Sequence, residues 1–408
     1  MREGASRQGS ASALYAVTFL AQALMVVVGI NVPIYAYGLG ASPLLLGVIG
    51  AAGGATYSVM PVVFGRVSRG SLRRALISAA MAAYGLAGLL YALCGEPRVL
   101  ILIKVVEWTA AGLFWPNVEA MIADTTGEEG LGRALRRFNV SWGTGIVVGP
   151  LVWSLLSARG VRTPFYVSSA GALSMGVLTL LLVRESELPG HVPGGRPTGD
   201  DPKGPRSAGP AAWDRRSIFV VLTAVVSFGF VVGILTALFP AFATELGITD
   251  YGIGLIMLVF GATRTLAFLG ASGIERRLKR AGMFLLSSAV FVGSSAVTAL
   301  GPTAPPSTAL LTFTACFAAF GLGTGMAYSA SISFVLGEWG LARGYAAGVF
   351  EGLLGLGGFV GPLAGGAVSQ AIGLQAPYFL TALVTAAVGL SQLVLLRGSR
   401  SLVPRRDP

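Results

Sequence analysis

The chain has 408 residues, 54% of them hydrophobic and 12% charged, with a mean hydropathy of +0.74. Soluble domains carry about 25% charged residues, so composition excludes one and points to a polytopic helical membrane protein. The formal net charge of +11 does not argue for a nucleic-acid partner, because the basic residues gather in alternate loops, as membrane orientation requires. Only two cysteines are present, Cys94 and Cys316, with no metal-type spacing, and no disulfide between them is expected. The single histidine, His191, falls in a polar loop, so histidine-based metal or triad chemistry has little material.

Met1–Ser12 is short and basic, and the apolar run after it is too long for a signal-peptide core, so no separate signal peptide is expected. Apolar segments then recur to the end of the chain, each long enough to cross about 30 Å of hydrocarbon. They predict twelve spans. The first six are 12–36, 43–64, 74–95, 98–123, 134–158 and 163–183; the second six are 217–244, 251–272, 282–301, 307–336, 343–371 and 376–397. Between the sets, a stretch rich in Pro, Gly and charge (LPGHVPGGRPTGDDPKGPRSAGP) cannot bury a core and reads as a flexible linker. The expected domains are therefore a first six-helix bundle at 1–183, a cytoplasmic linker at 184–216 and a second bundle at 217–408. One set of loops holds only Arg98, Arg159 and Arg162, while Lys104 and Arg264 fall within spans. The remaining Lys and Arg lie at the termini and in or beside the alternate loops, which puts both termini and the linker in the cytoplasm, with the plasma membrane as the expected location.

The two sets share text. Pro33, Leu39, Gly40 and Gly47 recur at one constant offset as Pro240, Leu246, Gly247 and Gly254. Gly143, Gly145, Gly149 and Pro150 recur as Gly355, Gly357, Gly361 and Pro362, and Thr163-Pro164-Phe165-Tyr166 is echoed by Ala376-Pro377-Tyr378-Phe379. Glycine on one helix face lets a neighbouring backbone approach closely, and proline there frees a carbonyl and permits a bend. Two copies of such a helix imply a duplicated six-helix unit whose halves rock, with these glycines and prolines in gating and close helix contact.

With six plus six spans and a central linker, the chain resembles the major facilitator superfamily over nearly its whole length. The loop Gly65-Arg66-Val67-Ser68-Arg69-Gly70-Ser71-Leu72-Arg73-Arg74 is similar to the family's G-x-x-x-D-x-x-G-R-R signature through Gly65, Arg73 and Arg74, although Arg69 and Leu72 replace its acid and second glycine. Arg73 and Arg74 are accordingly expected at the gate, and Glu275–Arg280 forms the related basic loop of the second half. The Gly-Pro element of span five resembles the antiporter-type motif, with Val152 and Trp153 in place of a Gly-Gly pair and the fuller copy on span eleven. In span four, Lys104 stands where the family commonly has arginine, and the resemblance implies that this span lines the cavity.

Ionisable groups within hydrocarbon cost about 3 kcal/mol or more, so those present are candidates for function. Lys104 and Glu107 are three apart and near the outer end of span four, which predicts an ion pair along one helix. At about 100° per residue, Lys104, Trp108, Ala111, Trp115, Glu119 and Ile122 fall near one line, beside a kink expected at Pro116. That stripe is expected to line an aqueous cavity. Arg264, near the middle of span eight, keeps its proton and needs a carboxylate, for which Glu351 and Glu119 are available. One neutralises Arg264 and the other is the candidate proton-coupling group, the alternative being a static salt bridge that latches the inner gate. Gln22 and Asn31 on span one, and Tyr328 beside the run Gly321–Gly325 on span ten, complete the expected cavity set, with lone amides also serving as interhelical glue.

These residues favour a secondary active transporter alternating access to a midplane cavity for a small organic solute. The indole stripe leans towards expulsion of amphipathic or cationic compounds in exchange for protons, by a monomer with no cofactor. Two other readings are a symporter importing an organic anion with Arg264 as counter-charge, and a non-transporting sensor or scaffold of the same fold. No filter-like loop repeats between spans, no nucleophile–base or metal constellation occurs within them, and no Walker-type loop is present, so a channel, an intramembrane enzyme and direct ATP drive are not expected.

Overall fold

A computed structural model describes residues 2–67, 72–124, 128–183, 215–301, 306–337 and 343–397. Most of the linker, His191 and the loop positions 68–71 lie outside the described residues. The described chain is helical: α1 Arg2–Gly38, α2 Pro43–Val67, α3 Arg73–Leu93, α4 Leu100–Asp124, α5 Glu128–Ser157, α6 Thr163–Leu182, α7 Arg215–Ala237, α8 Phe239–Glu245, α9 Asp250–Leu269, α10 Ala271–Leu300, α11 Pro306–Gly337, α12 Arg343–Ile372 and α13 Ala376–Leu396. In lipid every backbone N–H and C=O needs a partner inside its own segment, which is why these apolar runs are helices.

Twelve spans are predicted and thirteen helices observed because the seventh span is broken at Leu238. Pro240 brings no N–H to the carbonyl of Thr236, and α8 restarts as a single short helix after the gap. α10 also begins earlier than predicted: its first turns, Ala271–Leu278, precede a kink at Lys279, whose φ of 60° and ψ of 165° belong to a region nearly reserved for glycine. Arg280 Nε bonds Glu275 Oε1 at 2.6 Å across that kink.

Eleven helices among the described residues are long and apolar enough to cross a membrane. α4 is not among them. Lys104, Glu107, Asn117 and Glu119 depress its hydropathy.

The duplication written in the sequence is present in the hydrogen bonds. At the end of α1, Gly40 (φ 83°) donates to Tyr37 O at 2.9 Å and Ala41 to Ala36 O at 2.9 Å. At the end of α8, Gly247 (φ 75°) donates to Thr244 O and Ile248 to Ala243 O, both at 3.0 Å, at the same offset. Both are paired 5→2 and 6→1 helix stops, for which a left-handed glycine is needed. A second turn repeats as well: Thr163 N bonds Gly160 O at 2.9 Å, and Ala376 N bonds Gly373 O at 3.0 Å.

The chain divides into two compact units, Met1–Val32 with Val59–Ser207, and Pro33–Ser58 with Ala208–Pro408. In the first, α3 packs against α6 and α4. Gly145 and Gly149 of α5 lie on α1, where added Cβ atoms would stand 2.7 Å from Phe19 O and 3.0 Å from Ala23 O. In the second unit α10 packs against α13 and α11, repeating the α3 pairings, and α9 packs on α11. There Gly357 lies on Val226 O and Phe230 N, and Gly361 on Phe230. The repeated glycines therefore seat on the repeated positions of the partner helix in each unit. The interior of the second unit is aromatic, with Phe239 centred 4.1 Å from Phe317 and 5.5 Å from Phe313, edge to face with the latter.

Candidate functional site

Each unit holds polar groups within its spans. In the first, Lys104 Nζ lies 2.9 Å from Glu107 Oε2 and 3.2 Å from Oε1, and Tyr91 of α3 donates its hydroxyl to Oε2 at 2.7 Å. The predicted ion pair is thus made, and it is buried, with Lys104 7% and Glu107 4% exposed. A buried pair of this kind persists only when its remaining valences are met. Tyr91 meets one of them, and the ammonium also stands 5.7 Å from the Trp108 ring. Tyr91 itself is stacked on Phe165 of α6 at 5.3 Å. Sequence reasoning missed Tyr91. The available signal was a hydroxyl placed among apolar residues of a span.

Further along α4, Trp115 packs edge-on to Phe114 (4.9 Å) and Phe138 of α5 (6.3 Å). The environment of the stripe changes along its length: Lys104, Ala111 and Ile122 are buried, Trp108 and Trp115 half-buried and Glu119 exposed. The angular periodicity of a helix sets direction but not neighbours, and α3 and α5 cover parts of the expected cavity face. α4 runs on as helix through Pro116, with Asn117 Nδ2 donating back to Leu113 O at 2.7 Å.

Asn31, expected in the cavity set with interhelical glue as its other role, makes two hydrogen bonds beyond its own helix. It is fully buried, accepts from Trp153 Nε1 at 2.9 Å and donates to Val161 O at 2.8 Å, tying α1 to α5 and the turn after it. This gives a reason for Trp153 in place of a glycine: the indole is the clamp's donor. Gln22 lies beside Gly145 in the contact between α1 and α5. Arg74 Nη1 donates to Val183 O at 3.2 Å and so caps the end of α6, while Arg73 is half-buried at the start of α3.

In the second unit Arg264 of α9 is held where α9 and α11 touch backbone to backbone. Cβ atoms added at Gly321 and Gly325 would stand 3.0 Å from Arg264 N and 2.8 Å from Arg264 O. These glycines of the predicted small-residue run fix the height of the arginine. Its guanidinium carbon lies 5.1 Å from the centre of Phe228 (α7) and 5.4 Å from that of Phe268 (α9). Tyr328 (α11) closes the group, 5.7 Å from Phe228, 5.3 Å from Phe268 and 5.2 Å from Phe350 of α12. Phe228 and Phe268 thus flank one cation, and Tyr328 and Phe350 extend this aromatic box across four helices. Arg264 and Tyr328 stand out by their chemistry in the sequence, but Phe228, Phe268 and Phe350 are indistinguishable there from ordinary apolar residues of a span.

Glu351 follows Phe350 on α12, is half-buried, and receives a hydrogen bond from the hydroxyl of Tyr57 on α2. Around it Gly355 lies on Ser58, and Gly358 meets Gly54, so α2 and α12 run in close backbone contact within this unit. Pro362 is set against Gly50 and Gly233, which have no side chains to exclude it. Among the described residues no group of His, Cys, Asp and Glu is arranged to hold a metal ion.

Comparison with known proteins agrees with this architecture. The crystal structure of nucleoside transporter NupG superposes with a TM-score of 0.76 at 14% identity, covering 95% of this chain and 99% of its own, which is a likeness of fold. Quinolone resistance protein NorA of Staphylococcus aureus (strain MRSA252) is 20% identical over 377 residues, 92% of this chain and 93% of NorA. Multidrug resistance protein 2 of Bacillus subtilis (strain 168) is 25% identical over 114 residues, a match that spans only 28% of either chain. The profile described as Major Facilitator Superfamily matches residues 14–341. Duplicated helix stops, repeated glycine contacts and that match over most of the sequence place the chain in the Major Facilitator Superfamily, whose fold of twelve membrane-crossing segments it has.

Proposed function

We propose that this transporter is a secondary active exporter, which expels amphipathic or cationic organic compounds across the plasma membrane in exchange for protons. The observation that carries the alternating-access part is the twice-built glycine contact, Gly145 and Gly149 on α1 and Gly357 and Gly361 on α7. Close, side-chain-free contacts of this kind let helices shift against one another without repacking large groups. The outward direction draws on the resistance proteins to which the chain is similar. Both termini and the linker are cytoplasmic in this reading, and the working unit is a monomer.

Lys104 and Glu107 form a neutral pair, leaving Glu119, Arg264 and Glu351 as the charges that work on the solute and the proton. One carboxylate balances Arg264 while the other accepts the driving proton, and the half-buried indoles Trp108 and Trp115 face the solute. The experiment uses proteoliposomes with an imposed pH gradient and the amphipathic cation ethidium. Wild-type protein accumulates the dye against its gradient, and Glu351→Gln or Glu119→Gln removes the dependence on pH. If both variants keep full gradient-driven accumulation, proton coupling through these groups is wrong.

The aromatic box gives a second reading some support. A guanidinium held between Phe228 and Phe268 is a suitable counter-charge for a flat organic anion carried inward. Loss of anion binding in Arg264→Ala, with dye export unchanged, would favour import.

A further inference from the structure

A groove of about 580 Å³ lies in the second unit between α10 and α11, away from the aromatic box. Its lining includes Val290, Gly293, Val297, Leu311, Ala315 and Cys316, and no charged residue contributes to it. Gly293 opens onto empty space, since a Cβ there would meet nothing within 4 Å. Val297 and Leu311 form an exposed apolar rim, with Leu311 72% exposed. Other outward positions of α10, such as Leu286 and Leu300, carry large side chains. Here small residues from two helices leave a trough instead.

We infer that this groove seats one acyl chain of a membrane phospholipid. Position and length select that occupant. On α10 the lining runs from Val290 to Val297, towards the end of the helix at Leu300, and on α11 from Leu311 to Ala319, near its start at Pro306. Both stretches therefore begin at the same membrane surface. Eight residues at 1.5 Å rise cover about 12 Å. Half of a hydrocarbon core about 30 Å thick is about 15 Å, so the trough has the depth of one leaflet. An acyl chain entering from that surface is the apolar, uncharged, flexible ligand that fits it. Transfer from bulk lipid gains no hydrophobic energy, so retention comes from close contact with the small residues. This inference rests on the membrane fold and is independent of the solute and of the direction of transport.

The test uses full-length protein in proteoliposomes containing phosphatidylcholine with a photoactivatable diazirine on one acyl chain. After illumination, crosslinked peptides are mapped. Crosslinks should concentrate on 290–297 and 311–319, at several times the yield found on α13, where Leu383 and Val394 are equally open to lipid. Gly293→Leu, which fills the trough from a position with free space, should lower the groove yield at least fivefold and leave α13 unchanged. Ala319→Leu makes the same test from α11. Yields spread evenly over all lipid-exposed helices would overturn the inference. So would loss of groove crosslinks when ethidium is added, because that would give the groove to the solute.

Discussion

Glu107 offers the sharpest test of the buried charge network. In Glu107→Ala the Lys104 ammonium, 7% exposed, loses the carboxylate 2.9 Å away, and the Tyr91 hydroxyl loses its acceptor. Breaking a buried pair from one side costs about 3–5 kcal/mol, and orphaning a hydroxyl adds about 1–3 kcal/mol when the two do not overlap. Relaxation of Lys104 towards the Trp108 ring recovers part of this, so a loss of about 4 kcal/mol is expected. Removing both charges in Lys104→Met/Glu107→Leu leaves no unpaired ion, and its cost should fall to about 1–2 kcal/mol. Unfolding in mixed micelles of increasing dodecyl sulfate content, applied to Lys104→Met, Glu107→Leu and their double variant, gives the coupling energy directly. A Glu107→Ala loss below about 1 kcal/mol, or a double variant costing the sum of the singles, would refute the view that this pair is dry and mutually satisfied.

Further outcomes follow from the geometry. Gly149→Ala and Gly361→Ala should each cost about 1–3 kcal/mol, because the added Cβ presses on the Val26 side chain and Ala23 O in one unit and on the Phe230 backbone in the other. Gly29→Ala, which meets nothing within 4 Å, should be neutral or slightly stabilising in the same unfolding assay. Lys279→Gly should stabilise by about 1–3 kcal/mol by relieving a backbone conformation costly to any side chain. Trp153→Phe leaves Asn31 Oδ1 buried without its donor, and should lower stability by about 1–3 kcal/mol while ethidium transport per folded molecule is retained.

The fold was legible because the bilayer imposes a length and a composition on each span, and because duplication leaves the same glycines and prolines at fixed offsets. Gly40 and Gly247 stand at matching places in the two repeats, and both adopt a backbone that other residues reach only with strain. The break at Leu238 was only half legible: Pro240 signals a missing N–H but not which residue leaves the helix. The site was legible where a residue is expensive in oil. Lys104, Glu107, Arg264 and Glu351 announce themselves by charge, and the i,i+3 spacing predicted the pair that forms. What could not be read was which neighbours answer those charges. Tyr91, Tyr57 and Phe268 come from other helices or look like ordinary apolar filler, and only tertiary contact distinguishes them. Asn31 shows the same gap, because an amide in a span calls equally for a solute or for a neighbouring indole, and here Trp153 answers.

The central claim is that two duplicated units alternate access under proton drive. The most direct measurement is the distance between spin labels at Arg162→Cys and Gln375→Cys, repeated positions just before α6 and α13, in a Cys94→Ser/Cys316→Ser background. Double electron–electron resonance in lipid nanodiscs should resolve two distance populations whose balance shifts between about pH 5.5 and about pH 8 and loses that shift in Glu351→Gln/Glu119→Gln. A single population, indifferent to pH and to both substitutions, would contradict the account.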